Sequence, residues 1–234
     1  MDGTRQSLLN QIVEWVANKS GQESVLQGNT YWISGSPGIG KTSLAHSICE
    51  NLHKRNHLIG AFFCQKDDRK LSAPINILPT FIHKLAIIFP PFRTIVAKHL
   101  RDDPNLTPGS MDGSLFLDFL RSLPRHPEHT LVFVIDALDE CGNHKNRHDV
   151  LKALTDAAAL APWLKIIITS RPEADIERFF RGLTSSLYSP YDLATDHEAS
   201  DDLRTFARRQ FASVASHFCI RTSWPEESDF NELI

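Results

Sequence analysis

Apolar positions along the chain follow two rhythms, one with a helical period and one of short unbroken runs. Within residues 4–19, Leu8, Ile12 and Val16 recur at helical spacing beside Leu9, Val13 and Trp15, which predicts an amphipathic helix packed on a sheet. Tyr31-Trp32-Ile33-Ser34 is an aromatic and β-branched run that predicts a buried strand. Leu44, Ile48 and Leu52 then share one helical face. Residues 58–64, 131–135 and 165–170 are near-continuous apolar runs, the pattern of strands covered on both faces. Helices are predicted over 75–89, interrupted near Pro79 and stopped by Pro90-Pro91, and over 92–100, 115–123 and 150–160. Residues 186–193 predict a last strand at an edge, because Pro190 is poorly suited to a central one. A helix is expected over 201–218, with Leu203, Phe206, Ala207 and Phe211 inward.

Strands alternating with helices predict an α/β fold of three layers, a mostly parallel five-stranded sheet flanked by helices. The expected divisions are a lead-in with its amphipathic helix over 1–28, the main domain over 29–220, and a polar stretch over 221–234 that stops inside a helix start and reads as truncated.

Composition leaves that picture standing. Of 234 residues, 41% are hydrophobic and 23% charged, ordinary values for a chain that buries a full core. The net charge of −3 supplies no electrostatic footprint for nucleic acid, so no such partner is expected. No apolar run reaches membrane-spanning length, and Met1-Asp2-Gly3-Thr4-Arg5 does not begin a signal peptide, so no membrane association is expected. The four cysteines lie far apart without a C-x-x-C pair, which points to reduced thiols in a cytoplasmic setting.

Candidate chemistry gathers at the ends of three strands. Gly35-Ser36-Pro37-Gly38-Ile39-Gly40-Lys41-Thr42-Ser43 follows the first strand and opens a helix, and its first eight residues fit the phosphate-binding pattern G-x-x-x-x-G-K-[ST]. Glycines there let successive N–H groups turn inward around phosphate oxygens, and the helix N-terminus adds its dipole. Lys41 carries charge to the β/γ-phosphates, and the Thr42 hydroxyl is suited to Mg²⁺. The run 131–135 ends in Asp136-Ala137-Leu138-Asp139-Glu140. A carboxylate on a buried strand is costly unless it meets a cation or donors, which makes Asp136 the expected Mg²⁺ partner. Asp139 or Glu140 would orient and deprotonate an attacking water. Thr169-Ser170-Arg171-Pro172 closes a third strand; Arg171 either senses the γ-phosphate or forms a salt bridge to Asp136 or Asp139. Lys66 and Arg69, after the second strand, read as part of a solvated charge run, with an approach to the γ-phosphate as the sharper alternative. Cys141, His144 and His148 lack a fourth zinc ligand and lie in what reads as an exposed loop.

These residues resemble a NACHT domain, the regulatory P-loop nucleotide-binding module of NOD-like receptors and their fungal relatives, also known as the nephrocystin-3-like N-terminal domain. The likeness rests on the loop at 35–42, on Asp136-Ala137-Leu138-Asp139-Glu140 and on Ile168-Thr169-Ser170-Arg171-Pro172. Gly3-Thr4-Arg5 and Ile77-Leu78-Pro79-Thr80 are weaker matches. The resemblance implies a switch that holds ADP when closed, exchanges it for ATP with Mg²⁺, self-associates, and resets by slow hydrolysis. The family's winged helix, sensor repeats and N-terminal effector have no counterpart here. Two other readings compete. A metabolic phosphotransferase would need a cationic lid, and no Arg-rich lid segment is present. A non-hydrolysing scaffold sits poorly with intact Lys41, Asp136 and Glu140. A guanine-specific GTPase is disfavoured because no N-K-x-D motif follows Asp136.

Overall fold

Alternate residues of a strand face opposite sides of a sheet, and that parity sorts the core of this protein. The computed structural model describes residues 5–17, 28–103, 107, 112–124, 126–195, 207–208, 210–212, 214–218 and 224–233. Five strands, β1 (Thr30–Ser34), β2 (Leu58–Phe63), β3 (Leu131–Asp136), β4 (Leu164–Ser170) and β5 (Tyr188–Asp192), form one sheet in the order β2-β3-β4-β1-β5. Every pairing is parallel. Helices among the described residues include α1 (Gln6–Ala17), α2 (Lys41–Lys54), α3 (Ile77–Ile88), α4 (Pro90–Asp102), α5 (Gly113–Arg121), α6 (His144–Leu160), α7 (Ala174–Arg181) and α8 (Glu227–Leu233).

Tyr31, Ile33, Val132, Val134 and Ile167 face one side, where Leu8, Ile12 and Trp15 of α1 and Leu44, Ile48 and Leu52 of α2 cover them. Trp32, Phe133, Ile135, Ile166 and Ile168 face the other, against Phe81, Phe92, Phe116, Leu154 and Phe180 of α3 to α7. Phe81 stacks on Phe133 at 4.4 Å between ring centres, and Trp32 on Phe180 at 4.6 Å. Burying each such side chain contributes about 1.5–3 kcal/mol. β5 lies at the edge beside β1, with Pro190 in register with Trp32 and exposed.

The same parity puts Lys165 on the α1 side, 3% exposed, with its ammonium donating to Trp15 O and lying 4.5 Å from the centre of the Trp15 ring. Burial pushes the Lys165 pKa down to about 8 from 10.5. Between those values the unfolded chain keeps a proton that the folded chain has released, so the group makes stability rise with pH across that window. Melting temperatures followed from pH 8 to 10 are expected to show this rise in the parent and a flatter slope in Lys165→Met; equal slopes would remove the effect.

Three sequence expectations change. Pro79 does not interrupt α3: it lies in the first turn, where its missing N–H has no intrahelical acceptor to lose. Pro90 and Pro91 end one helix by opening the next, as the first residues of α4. The segment read as an exposed loop around His144 is the start of α6, capped by Asn143 Oδ1, which accepts from Asn146 N–H at 3.1 Å, and Cys141 is fully buried. The hydrophobic pattern predicts no element over α7, because its eight residues carry only a short stripe, Ile176 and Phe180. The helix expected over 201–218 is seen from Ala207, with Phe211 half-buried; Leu203 and Phe206 lie outside the described residues, as do 221–223.

Candidate functional site

The loop between β1 and α2 is shaped by glycine. Gly38 and Gly40 take φ of +79° and +92°, a region that L side chains rarely enter, and Gly40 directly precedes the first residue of α2. Gly35 N–H donates to Ser170 O at 3.3 Å and Ile39 N–H to Ser36 O at 3.4 Å, so Ser36 and Pro37 project from the sheet edge and are exposed. Lys41 is 9% exposed, and its ammonium donates to Gly35 O at 2.7 Å and Ser36 O at 2.9 Å, which holds it under the loop. Burial pushes the Lys41 pKa below the ordinary lysine value; Asp139, Asp136 and Glu140 oppose that, and the Arg171 charge adds to it. Ser43 is half-buried, and its carbonyl accepts from the Ser47 hydroxyl at 3.1 Å.

Parity also builds the acidic part of the site. Asp136 shares its face with Val132 and Val134, and Thr169 shares the same face with Ile167, so both point toward α2 at the C-terminal edge. Asp136 is 2% exposed. Its carboxylate accepts from the Thr42 hydroxyl at 2.7 Å and from the Thr169 hydroxyl at 2.5 Å. Thr169 in turn accepts from Ala137 N–H at 3.0 Å. Ala137 takes φ +54° and ψ +47°, a left-handed turn uncommon outside glycine. The chain therefore doubles back into a 3-10 turn, Leu138–Glu140, which returns Asp139 and Glu140 to the sheet edge.

Asp139 and Arg171 are brought together. Arg171 N–H donates to Asp139 Oδ1 at 2.9 Å, and Arg171 Nε lies 3.2 Å from Asp139 Oδ2. Of the two roles open to Arg171, the ion pair with Asp139 is the one present, and the guanidinium keeps a side chain 45% exposed toward the cavity. Glu140 Oε2 accepts from Lys66 N–H at 3.3 Å. The side chains of Lys66 and Arg69 lie in a run, 65–70, that is exposed throughout, as a solvated charge run requires.

Two residues belong to this site that the sequence did not single out for it. Arg147 of α6 is 6% exposed. It donates to Asp139 O at 2.6 Å and Asp175 Oδ2 at 2.9 Å, and its Nη2 lies 3.1 Å from His144 Nδ1. Its signal was periodic: Arg147 shares the α6 face with Val150, Leu151 and Leu154. Arg5, just before α1, donates to Ile39 O at 2.7 Å and so carries positive charge to the back of the loop.

Pro37, Gly38, Lys41, Thr42, Glu140 and Arg171 are among the residues that line a cavity of about 240 Å³. A larger groove of about 500 Å³ runs between α6 and α7; its Thr155 hydroxyl donates to Leu151 O at 2.9 Å. The smaller cavity has the right chemistry for a magnesium nucleotide: a loop N-terminal to a helix for the anion, an ammonium beside it, and a hard-oxygen pair, Thr42 and Asp136, for the cation. Among the described residues no helix is long and apolar enough to cross a membrane.

Solved structures with the same fold include Drosophila ORC bound to GC-rich DNA and Cdc6, at 12% identity and TM-score 0.52 over 88% of this chain and 30% of that one. Cdc6p from Pyrobaculum aerophilum is similar at 14% identity and TM-score 0.51 over 87% of this chain and 48% of its own. At such identity the likeness shows the fold alone, a parallel sheet with flanking helices. The vegetative incompatibility protein HET-E-1 of Podospora anserina is 28% identical over 156 residues, which is 62% of this chain and 11% of that protein. The chain thus spans about a tenth of that relative's length. A sequence profile described as nephrocystin 3, N-terminal, matches residues 3–171, from the lead-in through Arg171. The chain belongs to the nephrocystin 3 N-terminal family, P-loop NTPase domains of the NACHT type.

Proposed function

We propose that this domain is an ATP- and ADP-binding regulatory switch whose slow Mg²⁺-dependent hydrolysis controls self-association in a larger cytoplasmic signalling protein. The observation that carries the reading is Asp136, a buried carboxylate spanned by the Thr42 and Thr169 hydroxyls at the mouth of the phosphate loop. N–H groups of the loop from Gly38 to Ser43 that the loop's own bonds leave open bind phosphate oxygens, and Lys41 exchanges its two loop carbonyls for the β- and γ-phosphates. Thr42 and Asp136 hold Mg²⁺, and Thr169 keeps the Asp136 carboxylate turned toward it. Mg²⁺ bound there supplies neutralisation of charge on the phosphates. Glu140 takes the proton of the attacking water, while Asp139 holds Arg171. Arg171 lines the same cavity as Lys41 and Thr42 and would meet the γ-phosphate, the group that distinguishes ATP from ADP.

Calorimetric titration of the domain with ATP and ADP, with and without Mg²⁺, tests the reading. Lys41→Ala removes a charge-assisted contact of about 1.5–3 kcal/mol and is expected to weaken ATP binding at least about tenfold. Unchanged affinity would take the phosphate loop out of the account.

Arg171→Ala is expected to bring ATP and ADP affinities closer together and to lessen ATP-dependent self-association of the full-length protein, because a switch needs unequal binding of its two ligands. A variant that binds both nucleotides equally more weakly and melts earlier would leave Arg171 only its ion pair with Asp139.

A further inference from the structure

The lead-in to α1 reaches the phosphate loop at one peptide. Arg5 is 9% exposed and takes φ +55°, a region uncommon outside glycine, and its carbonyl accepts Leu9 N–H at 3.0 Å, which opens α1. Its guanidinium Nη2 donates to Ile39 O at 2.7 Å, across 34 residues of chain. The Ile39 side chain is half-buried and packs on the cluster that holds Leu8, Leu9 and Ile12. A Cβ at Gly35 would stand 2.9 Å from Ile39 Cγ2, so that side chain fills the space behind the loop.

A peptide plane turns that contact into a constraint on the next residue. The Ile39–Gly40 bond is trans, and in a trans peptide the carbonyl oxygen and the following N–H point in opposite directions. With Ile39 O drawn back to Arg5, the Gly40 N–H points forward. Gly40, at φ +92°, is among the described residues that line the cavity of about 240 Å³, and neither Arg5 nor Ile39 is. Lys41 differs from Arg5 in this respect. It lines the cavity itself, so its bonds to Gly35 O and Ser36 O compete with a ligand, whereas Arg5 stays behind the loop and keeps Ile39 O with the cavity filled. A cation on the carbonyl also polarises the peptide and strengthens its N–H as a donor.

We propose that Arg5 is a positioning residue of the phosphate loop, anchoring Ile39 O so that the Gly40 N–H stands ready to donate to a phosphate oxygen of the nucleotide. This role rests on the loop's being a nucleotide site. A donor already aimed needs no ordering when the anion arrives, and that saving appears as affinity. Linkage makes the effect reciprocal: whatever Arg5 adds to phosphate affinity, bound phosphate adds to the docking of the lead-in on the loop.

Titration calorimetry of the chain with MgADP, beside nuclear magnetic resonance of the Gly40 amide, is the test. Arg5→Met should weaken MgADP binding at least about fivefold, most of the worth of one hydrogen bond to a charged group. Arg5→Lys, which keeps a cationic donor, should recover most of that loss. In the parent the Gly40 N–H should move downfield when MgADP binds, and in Arg5→Met it should move less. A purely structural Arg5 would, in Arg5→Met, lower the melting temperature of the nucleotide-free chain and leave both the affinity and the Gly40 shift as in the parent, which would overturn the proposal. So would a parent Gly40 N–H that bound MgADP leaves unmoved, a result that needs no variant to fold. A parent that binds no MgADP would overturn the nucleotide reading itself and this role with it; a parent that binds MgADP no better than Arg5→Met would overturn the role alone.

Discussion

Glu140→Gln is expected to slow ATP hydrolysis by about a hundred- to ten-thousand-fold while leaving ATP affinity within a few-fold, the range a positioned general base contributes. Three carboxylates reach this sheet edge, and their partners separate them. Asp136 is 2% exposed, and both its oxygens accept hydroxyls. Asp139 spends one oxygen on the Arg171 N–H and the other on the Arg171 guanidinium. Glu140 is half-buried, and among the described residues only Lys66 N–H, at 3.3 Å, meets its carboxylate. One Glu140 oxygen is thus left for a water. The amide of glutamine keeps the shape and the Lys66 contact but cannot take a proton, so binding survives and turnover does not. Single-turnover hydrolysis beside a nucleotide titration measures both. Parent-rate hydrolysis by Glu140→Gln, with loss in Asp139→Asn, would move the base to Asp139.

Arg147→Ala should lower stability by about 3 kcal/mol, because breaking a buried ion pair leaves Asp175 in a poorly solvated place with only the His144 ring, 3.3 Å away, beside it. The pair is well enclosed: the side chains of Arg147 and Asp175 are 7% and 17% exposed and meet at 2.9 Å. The change also orphans Asp139 O, which Arg147 holds at 2.6 Å. For a chain of this length the melting point should fall by about 6–12 °C. Urea unfolding of Arg147→Ala, Asp175→Ala and the double variant would give the coupling directly. A loss below about 1 kcal/mol would mean that the pair does not hold the acidic turn.

The candidate site was legible where its residues are contiguous. The phosphate loop needs glycines at set intervals because its N–H groups point inward, and the chain shows that need at Gly38 and Gly40, both at positive φ. The acidic strand was legible because a buried apolar run cannot end in Asp136 without a reason. Arg147 was not legible. In sequence it is one charge among Lys145, Asn146 and His148, and only its place on the buried face of α6 marks it.

The sequence by itself determined the elements of the sheet and the face on which each strand residue lies, because hydrophobic period and strand parity are local properties of the chain. It also determined that the phosphate loop, the acidic run and the Thr-Ser-Arg run each sit at a strand's C-terminal end. Which of them meet was decided only by tertiary structure. The order β3-β4-β1 sets Thr169 beside Asp136 and Asp136 opposite Thr42, contacts that span 33 and 94 residues. Closure of α6 against α7 joins Arg147 to Asp175 across 28 residues. Periodicity tells a side chain which way to face but carries no record of its neighbour. That is settled when strand order and helix packing find the arrangement in which each buried carboxylate meets its donors.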